Sequence, residues 1–261
     1  MKLYNLYIPA ENGVPVVASL PHSGTYVPPK VRKQYKRNPA PILVPVDWHL
    51  EKLYDFLPEF GITTIQATHS RYVVNLNRGL KEPLFGPESS SVVPYESAWK
   101  HRLYDGDISK SDIEERIKKY YLPYHNRLEK LLKRAIRDYG KVYLLDLHSF
   151  FFGPTENICL GNVNETTCSE KLIGSFEKAL LKNDFSVVRN VQWVGGYITR
   201  HYSEMDNVET LQIELRFPAY LDRESFEEEE IKEWESVKFR EAQKRLRSVF
   251  SGALEELFSA V

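Results

Sequence analysis

A chain of 261 residues leaves room for one large domain or two small ones at about 150 residues each, and 42% AVILMFWYC residues with 27% charged exclude a disordered or fibrous protein. The 35 Lys and Arg nearly cancel the 36 Asp and Glu, so a formal charge of −1 gives no global field for nucleic acid or an anionic membrane. Any charged ligand must therefore be held locally.

Cys159 and Cys168 are too few for a disulfide framework and lack CxxC spacing, which predicts a reducing compartment. Met1-Lys2-Leu3-Tyr4-Asn5 shows no basic segment followed by an apolar one, and no run of about 18 apolar residues occurs. A cytoplasmic protein without membrane or nucleic-acid partners is expected, its oligomeric state left open.

In chain order, Val14 to Leu20 and Ile62 to Ala67 are apolar, β-branched runs that predict buried strands. Between them, Trp48 to Leu57 has helical spacing after Asp47, a candidate N-cap. Tyr72 to Leu76 predicts another strand, with Arg71, Val73, Asn75 and Asn77 on one face and Arg78 at its end. Leu80 to Tyr95, with Pro83, Gly86, Pro87, Pro94 and Ser89-Ser90-Ser91, has no periodicity and predicts a long loop of the kind that forms lids or binding loops. Ser111 to Tyr139 predicts a long helix with a Ser111/Glu114 capping box, kinked or split at Pro123.

Val142 to Leu147, Ile158 to Leu160, Phe185 to Val191 and Leu211 to Phe217 predict further strands, and Lys171 to Lys182 a helix among them. Strands apolar enough to be buried on both faces favour a covered, mostly parallel or mixed sheet. From Ser225, the positions Phe226, Ile231, Trp234, Val237, Leu246, Val249 and Phe250 recur near the helical period and predict a covering helix. Without repeats or linker-like tracts, a single domain over 1–261 is the simplest organisation, with 225–261 packing on it as a C-terminal helical segment.

Two histidines stand at the ends of predicted strands, where open α/β sheets place ligands: His22 in Pro21-His22-Ser23-Gly24 and His148 in Asp146-Leu147-His148-Ser149. Asp47, from a neighbouring loop, supplies a carboxylate unless it caps the following helix. Two imidazoles and one carboxylate with an open position form the pattern of a catalytic zinc site. His49 is a rival ligand, although at a helix start it points away from Asp47. Arg71, Asn77 and Arg78, in Ser70-Arg71-Tyr72-Val73-Val74-Asn75-Leu76-Asn77-Arg78, suit a carboxylate, because guanidinium offers a planar two-donor fork. Glu214 lies inside an apolar strand between Gln212 and Arg216, so it is either half of a salt bridge with Arg216 or a functional base. Gly195-Gly196-Tyr197-Ile198-Thr199-Arg200-His201-Tyr202 reads as a glycine turn followed by donors and aromatics, equally a hairpin turn. His125, after Pro123, reads as structural or as a support behind a site.

Pro-His-Ser-Gly, Asp-Trp-His, the Ser-Arg-Tyr-Val-Val-Asn-Leu-Asn-Arg run, Asp-Leu-His-Ser, Gly-Gly-Tyr-Ile-Thr-Arg-His-Tyr and Gln-Ile-Glu-Leu occur in the order seen in N-formylglutamate amidohydrolases, over roughly residues 15 to 222. The chain resembles that family, which is related to zinc carboxypeptidases and aspartoacylase. The resemblance implies a three-layer α/β sandwich with a central mixed sheet, of the zinc-carboxypeptidase (phosphorylase/hydrolase-like) type. It also implies one Zn²⁺ per chain on His22, Asp47 and His148, with Glu214 as general base. Arg71, Asn77 and Arg78 match positions that grip a substrate carboxylate, and Gly196, Thr199 and Arg200 belong to a segment that closes over the substrate. The implied reaction is hydrolysis of N-formyl-L-glutamate to formate and L-glutamate, in histidine degradation. Two positions depart from the pattern: Thr25 stands where the carboxypeptidase His-x-x-Glu acid would be, and Asn75 replaces the Asp of the usual Asp-Leu-Asn-Arg. The alternatives are another N-acyl amino acid or small peptide as substrate, and a non-catalytic ligand-binding relative.

Overall fold

A computed structural model describes residues 2–9, 13–36, 47–222 and 234–259. Its strands are β1 Tyr4–Tyr7, β2 Val16–Leu20, β3 Thr63–Ala67, β4 Phe85–Gly86, β5 Val93–Pro94, β6 Val142–Phe150, β7 Ile158–Gly161, β8 Val187–Arg189 and β9 Val208–Arg216. Seven of them form one mixed sheet in the order β1-β3-β2-β6-β9-β7-β8, while β4 and β5 pair with each other. The central neighbours β3, β2, β6 and β9 run parallel; β1 and β7 enter antiparallel. The helices are α1 Pro29–Arg32, α2 Leu50–Leu53, α3 Lys110–Arg116, α4 Leu122–Tyr139, α5 Glu170–Lys182, α6 Tyr197–Tyr202 and α7 Val237–Phe258.

Alternation along the central strands feeds two cores. Leu145, Leu147, Leu211 and Ile213 pack with Leu172, Phe176, Leu246 and Phe250 of α5 and α7, while Val17, Ile65, Val142 and Leu144 pack with Tyr124, Leu128, Leu132 and Ile198 of α4 and α6. Each such side chain contributes about 1.5–3 kcal/mol when fully buried. Helices on both faces of a mixed sheet make the three layers that the sequence resemblance implies. No helix among the described residues is long and apolar enough to cross a membrane. Both cysteines are free thiols.

Several elements differ from the sequence expectation. Tyr72 to Leu76 is not a strand but a series of turns. Its amides find local partners, Ser70 Oγ accepting from Tyr72 N (3.3 Å), Ser70 O from Val73 N (2.9 Å) and Asn75 Oδ1 from Asn77 N (3.0 Å), and such bonds compete with a sheet ladder whatever the β propensity of the run. The helix expected from Trp48 to Leu57 shrinks to α2, opened by His49 in the left-handed region (φ 57) and followed by a 3-10 turn, Leu57–Phe60, that takes Pro58 in its first turn. The long helix starts one residue before Ser111, capped by Ser109 accepting from Asp112 N, so the cap lies two residues earlier than the expected Ser111/Glu114 box. As expected near Pro123, the helical run is divided: the π turn Ile117–Tyr121 separates α3 from α4, which takes Pro123 in its first turn. The strand expected over Phe185 to Val191 is only β8, and Leu211 to Phe217 begins earlier, at Val208. The C-terminal helix is α7, capped by Ser236; residues 225–233 of the expected segment lie outside the described residues. The short edge strand β1 carries no sequence signal strong enough to be singled out.

His125 of α4 is buried, donating from Nε2 to Leu76 O (2.9 Å), with the Tyr202 hydroxyl 3.0 Å from Nδ1. It thus ties the 71–78 segment to α6. Burial pushes its ring down from 6.5 to about 3. Between those values the unfolded chain takes up a proton that the folded ring refuses, so stability is lost as pH falls below 6.5 and is fully present above it. Urea unfolding at pH 7 and pH 5 is expected to show a loss that is smaller by about 2 kcal/mol in His125→Gln than in the parent. Equal losses in the two proteins would mean that the ring is not held neutral.

Candidate active site

The carboxyl ends of the parallel strands converge on one cavity of about 430 Å³, lined by His22, Asp47, Arg71, Asn77, Arg78, Glu88, His148, Gly196, Arg200 and Glu214, with Phe150, Phe151, Phe152 and Trp193 as an apolar wall. β2 delivers His22 two residues beyond its end, and the loop that follows packs tightly: a Cβ on Gly24 would lie 2.4 Å from the Thr68 carbonyl carbon. β6 delivers His148, whose register partner on β9 is Glu214.

His22, Asp47 and His148 are all buried, each with a ligand atom within 4.8 Å of the others'. Asp47 Oδ2 lies 3.0 Å from His148 Nδ1 and 3.9 Å from His22 Nδ1. Each ring is held from behind. His22 Nε2 donates to Asn75 Oδ1 (2.8 Å), which leaves the Nδ1 lone pair facing Asp47. His148 Nε2 sits 3.1 Å from Asp146 Oδ2, and Asp146 is fully buried. Ligating histidines are oriented in this way by a partner on the far ring nitrogen. Burial, then the Arg71 and His148 cations, holds His22 well below the ordinary imidazole range. Burial acts on His148 in the same sense, but Asp146, Asp47 and Glu214 outweigh it and hold that ring well above the ordinary range. Asp146 Oδ1 is buried without a hydrogen-bond partner, one of three buried acids beside the two rings. A nitrogen and oxygen donor set of this kind fits a divalent transition ion. These three residues are the candidate metal centre.

Glu214 accepts from Gln212 Nε2 (3.0 Å), and Arg216 donates instead to Thr155 O (3.0 Å), so the Glu214–Arg216 salt bridge is not formed. Burial pushes Glu214 up to about 8, with Asp47 and Asp146 adding to the rise and the His148 cation opposing it. A carboxyl in that range can exchange a proton near neutral pH.

Of the expected substrate residues, Arg71, Asn77, Arg78, Gly196 and Arg200 line the cavity. The Asn77 amide is engaged: Nδ2 lies 3.1 Å from His148 Nε2 and Oδ1 accepts from Ile198 N (2.8 Å). Gly196 packs against that amide, and a Cβ there would lie 2.1 Å from Asn77 Nδ2. Thr199 is buried outside the cavity lining, its hydroxyl 3.5 Å from Asp146 Oδ2. Asp47 does not cap α2, whose N-cap is His49 without a side-chain cap bond. The His49 ring packs on Trp234 (6.0 Å) and is outside the cluster, whereas Asp47 is within it.

Three supporting residues had no assigned role in the sequence. Asp146 was legible in principle, two positions before His148 on the same strand face. Asn75, a departure from the pattern, holds His22. Glu88, on the aperiodic loop, carried no signal.

The family model described as N-formylglutamate amidohydrolase matches residues 14–221. N-formylglutamate deformylase of Pseudomonas aeruginosa is 32% identical over 225 residues, 81% of this chain and 84% of that protein. The enzyme of the same name from Pseudomonas putida is 29% identical over 224 residues, 80% and 82% of the two chains. The crystal structure of N-formylglutamate amidohydrolase from Ralstonia eutropha JMP134 superposes with a TM-score of 0.78 at 25% identity, covering 97% of this chain and 98% of that one.

Proposed function

The chain belongs to the N-formylglutamate amidohydrolase family, and on that premise we propose that it is a zinc-dependent hydrolase that splits N-formyl-L-glutamate with water into formate and L-glutamate. The observation that carries the reading is the convergence of His22, Asp47 and His148 beside Glu214 in one cavity with three arginines. One zinc ion per chain, held by those three residues, would polarise the formyl carbonyl and lower the pKa of an attacking water, to about 7 in typical sites.

The chain's own groups supply the remainder. Glu214 takes a proton from the attacking water as the C–O bond forms and delivers it to the amide nitrogen as the C–N bond breaks. The formyl carbon leaves as formate, and the nitrogen becomes the amine of glutamate. Gln212 keeps the Glu214 carboxylate aimed, while Asn75 and Asp146 keep the two rings aimed. Arg71, Arg78 and Arg200 hold the substrate carboxylates, which explains why a chain of formal charge −1 gathers three guanidiniums at one cavity. Asn77, Gly196 and Thr199 form the frame that fixes their spacing. A cavity of about 430 Å³ also has room for related N-acyl amino acids.

Metal analysis of the purified protein is expected to find about one zinc per chain, and formate release from N-formyl-L-glutamate is expected to stop on chelation and return with Zn²⁺. Activity indifferent to a strong chelator would remove the metal from the reaction. Faster hydrolysis of N-formyl-aspartate or N-acetyl-glutamate than of N-formyl-glutamate would move the substrate assignment.

A further inference from the structure

Residues 71–78 carry four groups of the site. Arg71, ion-paired with Glu88, and Arg78 line the cavity, Asn75 holds His22, and Asn77 lies beside His148. Because the segment is a series of turns, no sheet ladder takes up its carbonyl oxygens, and buried backbone groups need partners. Distant side chains supply them. Tyr35 Oη donates to Tyr72 O (2.8 Å), Arg116 Nη1 to Val73 O (3.4 Å), His125 Nε2 to Leu76 O (2.9 Å) and Tyr121 Oη to Arg78 O (2.8 Å).

Three of these four donors come from one helical run, and all three are buried. Arg116 ends α3, Tyr121 ends the π turn and His125 lies in the first turn of α4. Their spacing is five residues and then four. In a regular α-helix, positions five apart point about 140° away from each other, so Arg116 and Tyr121 would face different neighbours. A π turn closes its bonds from i to i+5 and brings such positions into line. The π turn lies between these two residues, and their donors reach carbonyls of the same segment.

We propose that Tyr121 is a positioning residue for Arg78, and that the π turn sets Tyr121 and His125 in line with Arg116 so that one helix face fixes the backbone from Val73 to Arg78. The inference rests on the proposed function only in taking Arg78 as a group that meets the substrate. The Arg78 guanidinium already donates to Asn77 O (2.8 Å) and Ser89 O (2.9 Å), so its remaining donors point where the backbone at Arg78 directs them. Without the Tyr121 hydroxyl, Arg78 O lacks that donor and the residue shifts toward another, which spoils the alignment a planar guanidinium needs.

Tyr121→Phe removes the O–H and keeps the ring. KM for N-formyl-L-glutamate is expected to rise about fivefold or more, with kcat within about twofold of the parent's, because Val73 O and Leu76 O keep their donors. Tyr124→Phe is the control: Tyr124 is on the same helix and as deeply buried, but its hydroxyl meets Ser19 Oγ (3.0 Å) and Ile65 O (3.3 Å). It is expected to lower the melting temperature comparably and to leave KM unchanged. A parent-like KM in Tyr121→Phe, or an equal rise in both variants, makes Tyr121 merely structural and overturns the proposal. Deleting Lys118, exposed in the π turn, returns the run to α register and is expected to raise KM at least as far. A folded deletion with the parent's KM overturns the register argument, and if the deletion does not fold, Tyr121→Phe decides alone.

Hydrogen exchange of the metal-free protein reads the same brace without turnover. The Asn77 and Gly79 amides, which donate to Asn75 Oδ1 (3.0 Å) and Glu82 Oε1 (2.9 Å), are expected to exchange faster in Tyr121→Phe and not in Tyr124→Phe. A protein that does not hydrolyse N-formyl-L-glutamate but shows this difference loses the proposed function and keeps the brace. An active enzyme with neither change does the reverse.

Discussion

Glu214→Gln is expected to lower kcat by about 10²–10⁴-fold, the range for loss of a general base, while the protein keeps its metal. Glu214 is not part of the His22, Asp47 and His148 cluster, so its replacement leaves all three ligand atoms in place. The glutamine amide has nearly the shape of the carboxylate, and its oxygen can accept the Gln212 bond that Glu214 Oε1 accepts at 3.0 Å. What it lacks is the capacity to carry a proton from water to the leaving nitrogen. KM is therefore expected to change little, because the three cavity arginines proposed to hold the substrate carboxylates are untouched. Steady-state kinetics with metal analysis of the same sample checks this, and turnover equal to the parent's would place the base on another residue or make the protein a binding relative.

His148→Ala is expected to weaken metal binding by more than about 100-fold, beyond the 10–100-fold typical of losing a partner behind a ligand, and to bring formate release to background. The ring is also the neighbour of two buried acids, at 3.0 Å from Asp47 and 3.1 Å from Asp146. In the metal-free protein the ring is held charged, so removing it leaves those carboxylates without their counter-charge, and breaking a buried pair in this way costs about 3–5 kcal/mol. The variant is therefore expected to melt lower than the parent, and metal content must be read on the folded fraction after dialysis. A folded variant with a full complement of metal would show that His148 is not a ligand.

The elements that were legible in the sequence share one property: their signal is local. β2, β6 and β9 are buried along nearly their whole length and read as apolar runs, and α4, α5 and α7 repeat their apolar positions at the helical period. Tyr72 to Leu76 shows the converse. Its β-branched residues have the composition of a strand, but Ser70 and the Asn75 side chain offer its amides turn partners within a few residues, which a sheet ladder would have to replace. Helix ends behaved likewise, since both Ser109 and Ser111 are plausible caps and only the geometry of the first turn selects between them.

By itself the sequence determined the kind of sheet, the two strand-end imidazoles and the ordered motifs that mark the family, because strand burial and motif order are written in consecutive residues. Only the tertiary structure decided that Asp47 rather than His49 joins the rings, that Asn75 orients His22, and that Glu88 occupies Arg71. Asp47 and His148 are 101 positions apart, and His22 and Asn75 are 53 apart. Contacts across such spans are set by how loops leave the sheet and close on one another, which no local periodicity encodes.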